Sequence, residues 1–388
     1  MVRVANDKHF RVLWLTENYP PQRGGMAQSC DRIVHSLRTS GVWIDVAHFS
    51  ARYQTWQIER KLHGRLFVCP LDDDPAHALN LLWNLLQRTE EIPYTHVVTF
   101  GGVVPMLAGP IYATWLRAPL VTLLRGNDFD IGLFSPRGSS IVREALRCSA
   151  CVCAVSRDKL EKVAALYPPT KLAWTPNGID LTNWRSTPED KHKARQWREE
   201  NVSSGRRVLG LFGQLKRKKG GVFFLEALAR SGVAEKFHVL LVGDMEAELQ
   251  EWLAAAGDSL SYTALPFADR YELLPYYAAC DMVALPSFYD GLPNVLLESL
   301  GLAVPVVAAA VGGMADILRH NENALLFLSC DQDGGCQVLR TAAQLSVTDL
   351  RKLGANGQRL VASHFTHQAE VERYLAVLQE TTKTQHQK

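Results

Sequence analysis

No stretch of the chain approaches the roughly 20 consecutive apolar residues that a membrane-spanning helix needs. The longest candidate, residues 300–311, is shorter and carries Pro305. A spanning segment is therefore not expected, although attachment to a membrane surface stays open. An excess of charge is missing too: 42 Lys and Arg face 40 Asp and Glu, a formal net charge of +2. So near a balance offers no global attraction for nucleic acid, which is not expected as a partner, and any basic site has to be local. Residues 1–8 are polar and contain no charged-then-apolar leader. The expected location is the cytoplasm, with the inner face of the membrane as the variant.

Paired cysteines are also absent. The eight are scattered, and the one cluster, Cys148, Cys151 and Cys153, lacks a second pair at metal-binding spacing. Cys151-Val152-Cys153-Ala154-Val155 reads instead as a small-residue buried strand, and reduced thiols suit a cytosolic chain. Neither a Ser-His-Asp order, nor a nucleophile elbow, nor a metal-ligating His pair is found among the 12 dispersed histidines. The dinucleotide fingerprint is missing, so NAD is not expected. No metal and no cofactor are expected.

What is present is a repeated plan. Short apolar runs, Arg11 to Leu15, Trp43 to Ala47, His96 to Phe100, Leu120 to Leu124 and Ala150 to Val155, alternate with longer amphipathic stretches. That alternation predicts parallel β-α-β units whose strands are covered on both faces. The plan restarts with Val208 to Phe212, Val239 to Val242, Tyr262 to Leu265, Met282 to Leu285 and Val304 to Val307. The expected fold class is α/β with two Rossmann-like doubly wound domains facing across a cleft. Their expected bounds are residues 1–185 and 200–365, with the charged segment 189–200 as linker. A C-terminal helix over 366–385, with Val371, Tyr374, Leu375 and Leu378 on one side, is expected to pack back on the first domain.

In open α/β sheets ligands bind beyond the carboxyl ends of the strands, so the loops after strands are the candidates. The most informative runs from Pro286 to Glu298, where an apolar strand leads through Asp290, Gly291 and Leu292 to Pro293 and a helix start at Asn294 and Val295. Proline suits a first helical position, and the exposed amides with the positive end of the helix dipole form an anion site. Asp290 also suits a plain cap, with Glu298 facing water. A second loop, Gly213 to Gly221, holds Gln214, Lys216, Arg217, Lys218 and Lys219 directly after a strand, where cations could clamp phosphate or form a solvated basic turn. Arg125, Gly126, Asn127 and Asp128 form a third, readable as an acceptor contact or as an internally paired Asn-Asp turn. Gly24-Gly25 and Gly312-Gly313 open helices where backbone can approach a ligand.

Together, Gly24-Gly25, Val155-Ser156, Pro176 to Asp180, Gly213 to Gly220, Pro286 to Glu298 and Val311 to Gly313 resemble, in order and spacing, the GT-B retaining glycosyltransferases of family 4. The resemblance covers nearly the whole chain. It implies a hexosyltransferase that moves a sugar from a UDP- or GDP-sugar to an acceptor of unknown identity, with retention, in polysaccharide, glycolipid or small-molecule glycoside synthesis. It implies Asp290 against the donor sugar, Glu298 on ribose hydroxyls and Lys219 on the diphosphate. Gly24, Gly25, Gln214, Lys216, Gly291, Leu292, Pro293, Asn294 and Val295 complete the expected donor site, and Asn127 and Asp128 face the acceptor. Asp290, Arg125 and Lys219 are the expected catalytic residues. Three positions depart from the pattern: Asp290 replaces a commoner glutamate, Gln214 stands where arginine is frequent, and Arg125 precedes Gly126 where many members carry histidine. A nucleotide-sugar binder that does not transfer, and a 2-epimerase of related fold, are the competing readings.

Overall fold

The computed structural model describes residues 10–89, 93–136, 138–168 and 171–385. It divides into two units. One comprises the chain up to Pro176 together with the residues from Gln368 onward, and the other is Asn177–His367.

The first unit is built on β1 (Arg11–Thr16), β2 (Trp43–Ser50), β3 (Gln57–Lys61), β4 (Gly64–Pro70), β5 (His96–Phe100), β6 (Leu120–Leu124), β7 (Cys151–Ala154) and β8 (Leu172–Trp174). They lie in the order β3-β4-β2-β1-β5-β6-β7-β8. Every pairing is parallel except β3 with β4. Strands β5, β6 and β7 are buried at every residue, as continuous Val, Leu and Cys runs require when helices cover both faces. The polar run Gln-Ile-Glu-Arg-Lys of β3 lies mostly exposed at the sheet edge, where its charges discourage pairing with another chain. The β3–β4 hairpin is not among the strands that the sequence pattern shows.

In the second unit β9 (Arg207–Phe212), β10 (Phe237–Val242), β11 (Tyr262–Leu265), β12 (Met282–Leu285), β13 (Val306–Ala309) and β14 (Leu325–Phe327) form one all-parallel sheet in the order β11-β10-β9-β12-β13-β14. The chain winds outward from β9 to β11, then returns to the middle and winds the other way from β12 to β14. The switch point therefore lies between β9 and β12.

The charged segment expected to be a linker is instead the helix Pro188–Asn201, begun by a Thr187/Asp190 capping box and part of the second unit. The change of unit falls earlier, at Pro176–Asn177. A helix polar on nearly all sides looks like a linker in sequence because only Ala194 is buried. The helix His367–Gln385 places Val371, Tyr374, Val377 and Leu378 in the core of the first unit. No helix is long and apolar enough to cross a membrane among the described residues.

His96 is completely buried, and its Nε2 lies 3.0 Å from the Leu378 carbonyl oxygen. Burial pushes the imidazole down from 6.5 to about 4, and the same happens at His48. Between those values the unfolded chain takes up protons that the fold refuses, so stability drops as pH falls from 6.5 toward 4. Urea melts across that range should show the decline, and His96→Asn should flatten it.

Candidate functional site

The loops that leave β9 and β12 flank the switch point, the position where open sheets hold ligands. From β9 the chain passes Gly213 and Leu215, makes a 3-10 turn over Arg217–Lys219 and enters the helix Gly221–Arg230 through Gly220. Gly220 has φ +67°, and a Cβ there would sit 2.1 Å from the Pro286 carbonyl oxygen. Only glycine allows the two loops to touch at this point. The Phe288 amide then donates to the Lys218 carbonyl at 2.9 Å, and the Lys219 ammonium pairs with the Asp290 carboxylate.

On the far side of Asp290 the turn after β13 closes in. Gly312, at φ +48°, would place a Cβ 1.9 Å from the Asp290 carbonyl oxygen, and the Gly313 amide donates to the Gly291 carbonyl at 2.7 Å. The Ser329 hydroxyl donates to the Phe288 carbonyl at 3.1 Å, and the Asn177 side-chain amide to that of Leu292 at 2.5 Å. The acidic loop is thus held by turns from β9, β13 and β14 and by the Asn177 motif, a rigid seat of the kind site chemistry needs.

Asp290 is mostly shielded. Burial alone would raise its carboxyl, but Lys219, Lys218 and the Gly291 amide outweigh that and hold it below the usual carboxylate range. The helix Asn294–Gly301 begins beside it. Pro293 is extended, with ψ 139°, so it is the N-cap residue rather than the expected first helical one. The N-cap Pro293 makes no side-chain capping bond and the first turn holds no acid, so the helix dipole presents its positive end beside Asp290.

One turn deeper, Glu298 is buried; its Oε2 accepts from the Tyr277 hydroxyl at 3.0 Å, and its Oε1 lies 3.9 Å from Arg270 Nε. Tyr277 stacks on Phe212 at 4.1 Å, and Arg270 lies 5.0 Å over Trp184. The Trp184 indole donates to the Glu298 carbonyl at 2.9 Å. Burial and the neighbouring Glu298 push the Tyr277 hydroxyl well up, so it stays a donor. Arg270 and Tyr277 are missing from the sequence expectation. Arg270 follows the carboxyl end of β11, the same post-strand signal that exposed the other loops.

Gln214 is half-buried and its carbonyl accepts from the Lys216 amide at 2.9 Å; Lys216 itself is exposed. The Arg217 amide donates to Glu246 at 2.7 Å, and its side chain lies 3.8 Å from Glu248.

In the first unit Gly24, at φ 115°, precedes the helix Gly25–Thr39. Arg125 does not stand as a reactive group. Its side chain is 1% exposed, donates to the Thr175 carbonyl and the Tyr374 hydroxyl, both at 2.9 Å, and lies 3.9 Å from Glu370. Glu370 is equally buried and takes two hydrogen bonds of 3.0 Å from Arg32. The expected catalytic arginine is a core tie to the C-terminal helix. Asp128 closes its own turn, accepting from the Arg125 amide at 3.0 Å and the Gly126 amide at 2.8 Å. Asn127 opens the short helix Asn127–Asp130, and its side chain lies outside the described residues. Cys151 and Cys153 are buried in β7.

Comparison with known proteins gives the family and the fold. The family model "Glycosyl transferases group 1" matches residues 206–342, and "Glycosyltransferase Family 4" matches residues 23–183. An uncharacterized glycosyltransferase of Methanocaldococcus jannaschii is 26% identical over 336 residues, 81% of this chain and 84% of that protein. Among solved structures, sucrose-phosphate synthase from Thermosynechococcus elongatus superposes with TM-score 0.79 at 17% identity, covering 97% of this chain and 100% of that one. Anabaena HepE in complex with UDP superposes with TM-score 0.74 at 18% identity, covering 96% and 100%, and the same protein is known in complex with UDP-glucose. With a family model matched in each half and the GT-B fold throughout, the chain belongs to the family 4 glycosyltransferases.

Proposed function

We propose that this glycosyltransferase takes a UDP- or GDP-sugar and transfers its hexosyl group, with retention, to an acceptor hydroxyl. The observation that carries the reading is the Lys219–Asp290 pair beside the start of the Asn294–Gly301 helix, at the switch point of the second sheet. The UDP and UDP-glucose complexes of HepE support the donor class.

Transfer breaks the bond between the anomeric carbon and the diphosphate, and the electron pair leaves with the phosphate oxygen. Lys219 and the amides of Asn294 and Val295 stabilise the charge as it develops, a role fixed donors fill best. Lys216 and Gln214 add contacts to the donor, Asp290 faces the sugar and Glu298 takes the ribose hydroxyls. The acceptor attacks the same face, and the departing phosphate oxygen takes its proton, so neither a protein nucleophile nor a metal ion is needed. Polysaccharide, glycolipid or small-molecule glycoside synthesis in the cytoplasm or at the inner membrane face is the proposed setting.

Thermal unfolding with UDP, GDP and ADP tests the reading. At one hundred times its dissociation constant the cognate nucleotide should stabilise the fold by about 2.7 kcal/mol. Lys219→Ala should abolish most of that gain. Stabilisation by none of the three would overturn the proposal, and product formed from donor alone would point to an epimerase.

A further inference from the structure

The second unit carries another concave site, away from the β9 and β12 loops. A groove of about 650 Å³ lies between the helices Pro188–Asn201 and Val347–His364, a volume in the range of small-molecule sites. Ala194, Ala278, Leu302 and Val304 contribute its apolar lining. Its charged residues are all basic: Arg185, Lys191, Arg195, Arg198 and Arg351, with no acid among them.

The arrangement follows from helix geometry. Lys191, Arg195 and Arg198 are spaced i, i+4, i+7, so they share one face of Pro188–Asn201, with Arg351 contributed by the second helix. Arg198 is anchored by the Asp281 carboxylate at 2.9 Å and the Ala279 carbonyl at 2.7 Å. Among the described residues, the side chains of Arg185, Lys191, Arg195 and Arg351 have neither a hydrogen bond nor an ion pair. In a chain whose charges nearly cancel, four unpaired cations around one concavity stand out against neighbours such as Lys193, which pairs with Glu189. Like charges repel, and a bound anion would remove that repulsion. Three of the four are arginines, whose planar forks match oxyanions and phosphoryl groups.

We infer that this groove binds a compact, multiply charged phosphoryl anion at a site separate from the proposed donor pocket. The ligand presents phosphoryl oxygens to Arg185, Lys191, Arg195 and Arg351 and rests against the apolar lining. The same chemistry is available in a free polyphosphate or in an anionic lipid headgroup. Gly301 and Leu302, at the far end of the helix whose start faces the donor loop, also line the groove.

The test is calorimetric titration of the full chain with inorganic tripolyphosphate in a Lys219→Ala background, which removes the cation paired with Asp290 and leaves the groove intact. That protein should bind, more weakly as salt rises. Adding Arg195→Ala and Arg351→Ala should weaken binding about tenfold per cation removed, and the corresponding lysine substitutions should restore part of it. Unchanged melting temperatures in these exposed-site variants exclude unfolding as the cause. In a parallel arm, flotation with phosphatidic acid vesicles that depends on the same two arginines, without tripolyphosphate binding, assigns the phosphoryl group to a headgroup. Equal binding with and without Arg195 and Arg351, or binding in neither arm, overturns the inference. None of these outcomes depends on whether the donor reading holds.

Discussion

Lys219→Ala is expected to slow sugar transfer by about 10²- to 10³-fold, the loss typical when one fixed stabiliser of a developing oxyanion is removed. Two changes combine. The leaving diphosphate loses its cation, and Asp290 loses the partner that keeps its carboxyl ionised against burial. The Asp290 carboxyl should therefore rise, and residual activity should decline at a higher pH than in the unaltered protein. Rate measurements across the pH range with saturating donor separate the two effects. A variant with full turnover and an unmoved acid limb would remove Lys219 from the chemistry.

Glu370→Ala should destabilise the fold strongly, by about 3–5 kcal/mol. It strips the counter-ion from Arg32 and Arg125, whose side chains are only 9% and 1% exposed, and leaves both charges buried. Arg125→Met should cost less, because Glu370 keeps its two hydrogen bonds from Arg32. Denaturant melts give the ranking, and turnover per folded molecule gives the role. If Arg125→Met melts normally but has lost its turnover, Arg125 is a catalytic residue after all and its assignment to the core is wrong.

Much of the local structure around Asp290 was legible because it depends on local rules. Met282 to Leu285 reads as a strand, and Asp290 and Asn294 follow within one loop, so proximity in sequence already implies proximity in space. Lys219 was legible by the same logic, since a cation next to a glycine after a strand has few places to go. Its pairing with Asp290 was not, because it depends on Gly220 and Gly312 letting three loops meet. The buried setting of Arg125 escaped for a related reason: its partner Tyr374 lies 249 residues further along the chain. The β3–β4 hairpin escaped because Gln57–Lys61 alternates polar residues with one isoleucine, a pattern with no apolar face to announce a strand. The three-residue strands β8 and β14 are too short to show any period. At β13 the strand starts at Val306 instead of Val304, as proline at 305 cannot donate to the ladder.

The second unit is an insertion within the first. Its two ends meet where the Ile179 amide donates to the Phe365 carbonyl at 2.8 Å and the His367 amide to the Ile179 carbonyl at 3.1 Å. During synthesis residues 177–367 emerge from the ribosome before the segment that bears Glu370, Tyr374 and Leu378. The amino-terminal unit must wait through nearly two hundred codons for the helix that seals its interior, while the inserted unit already has every residue it contains.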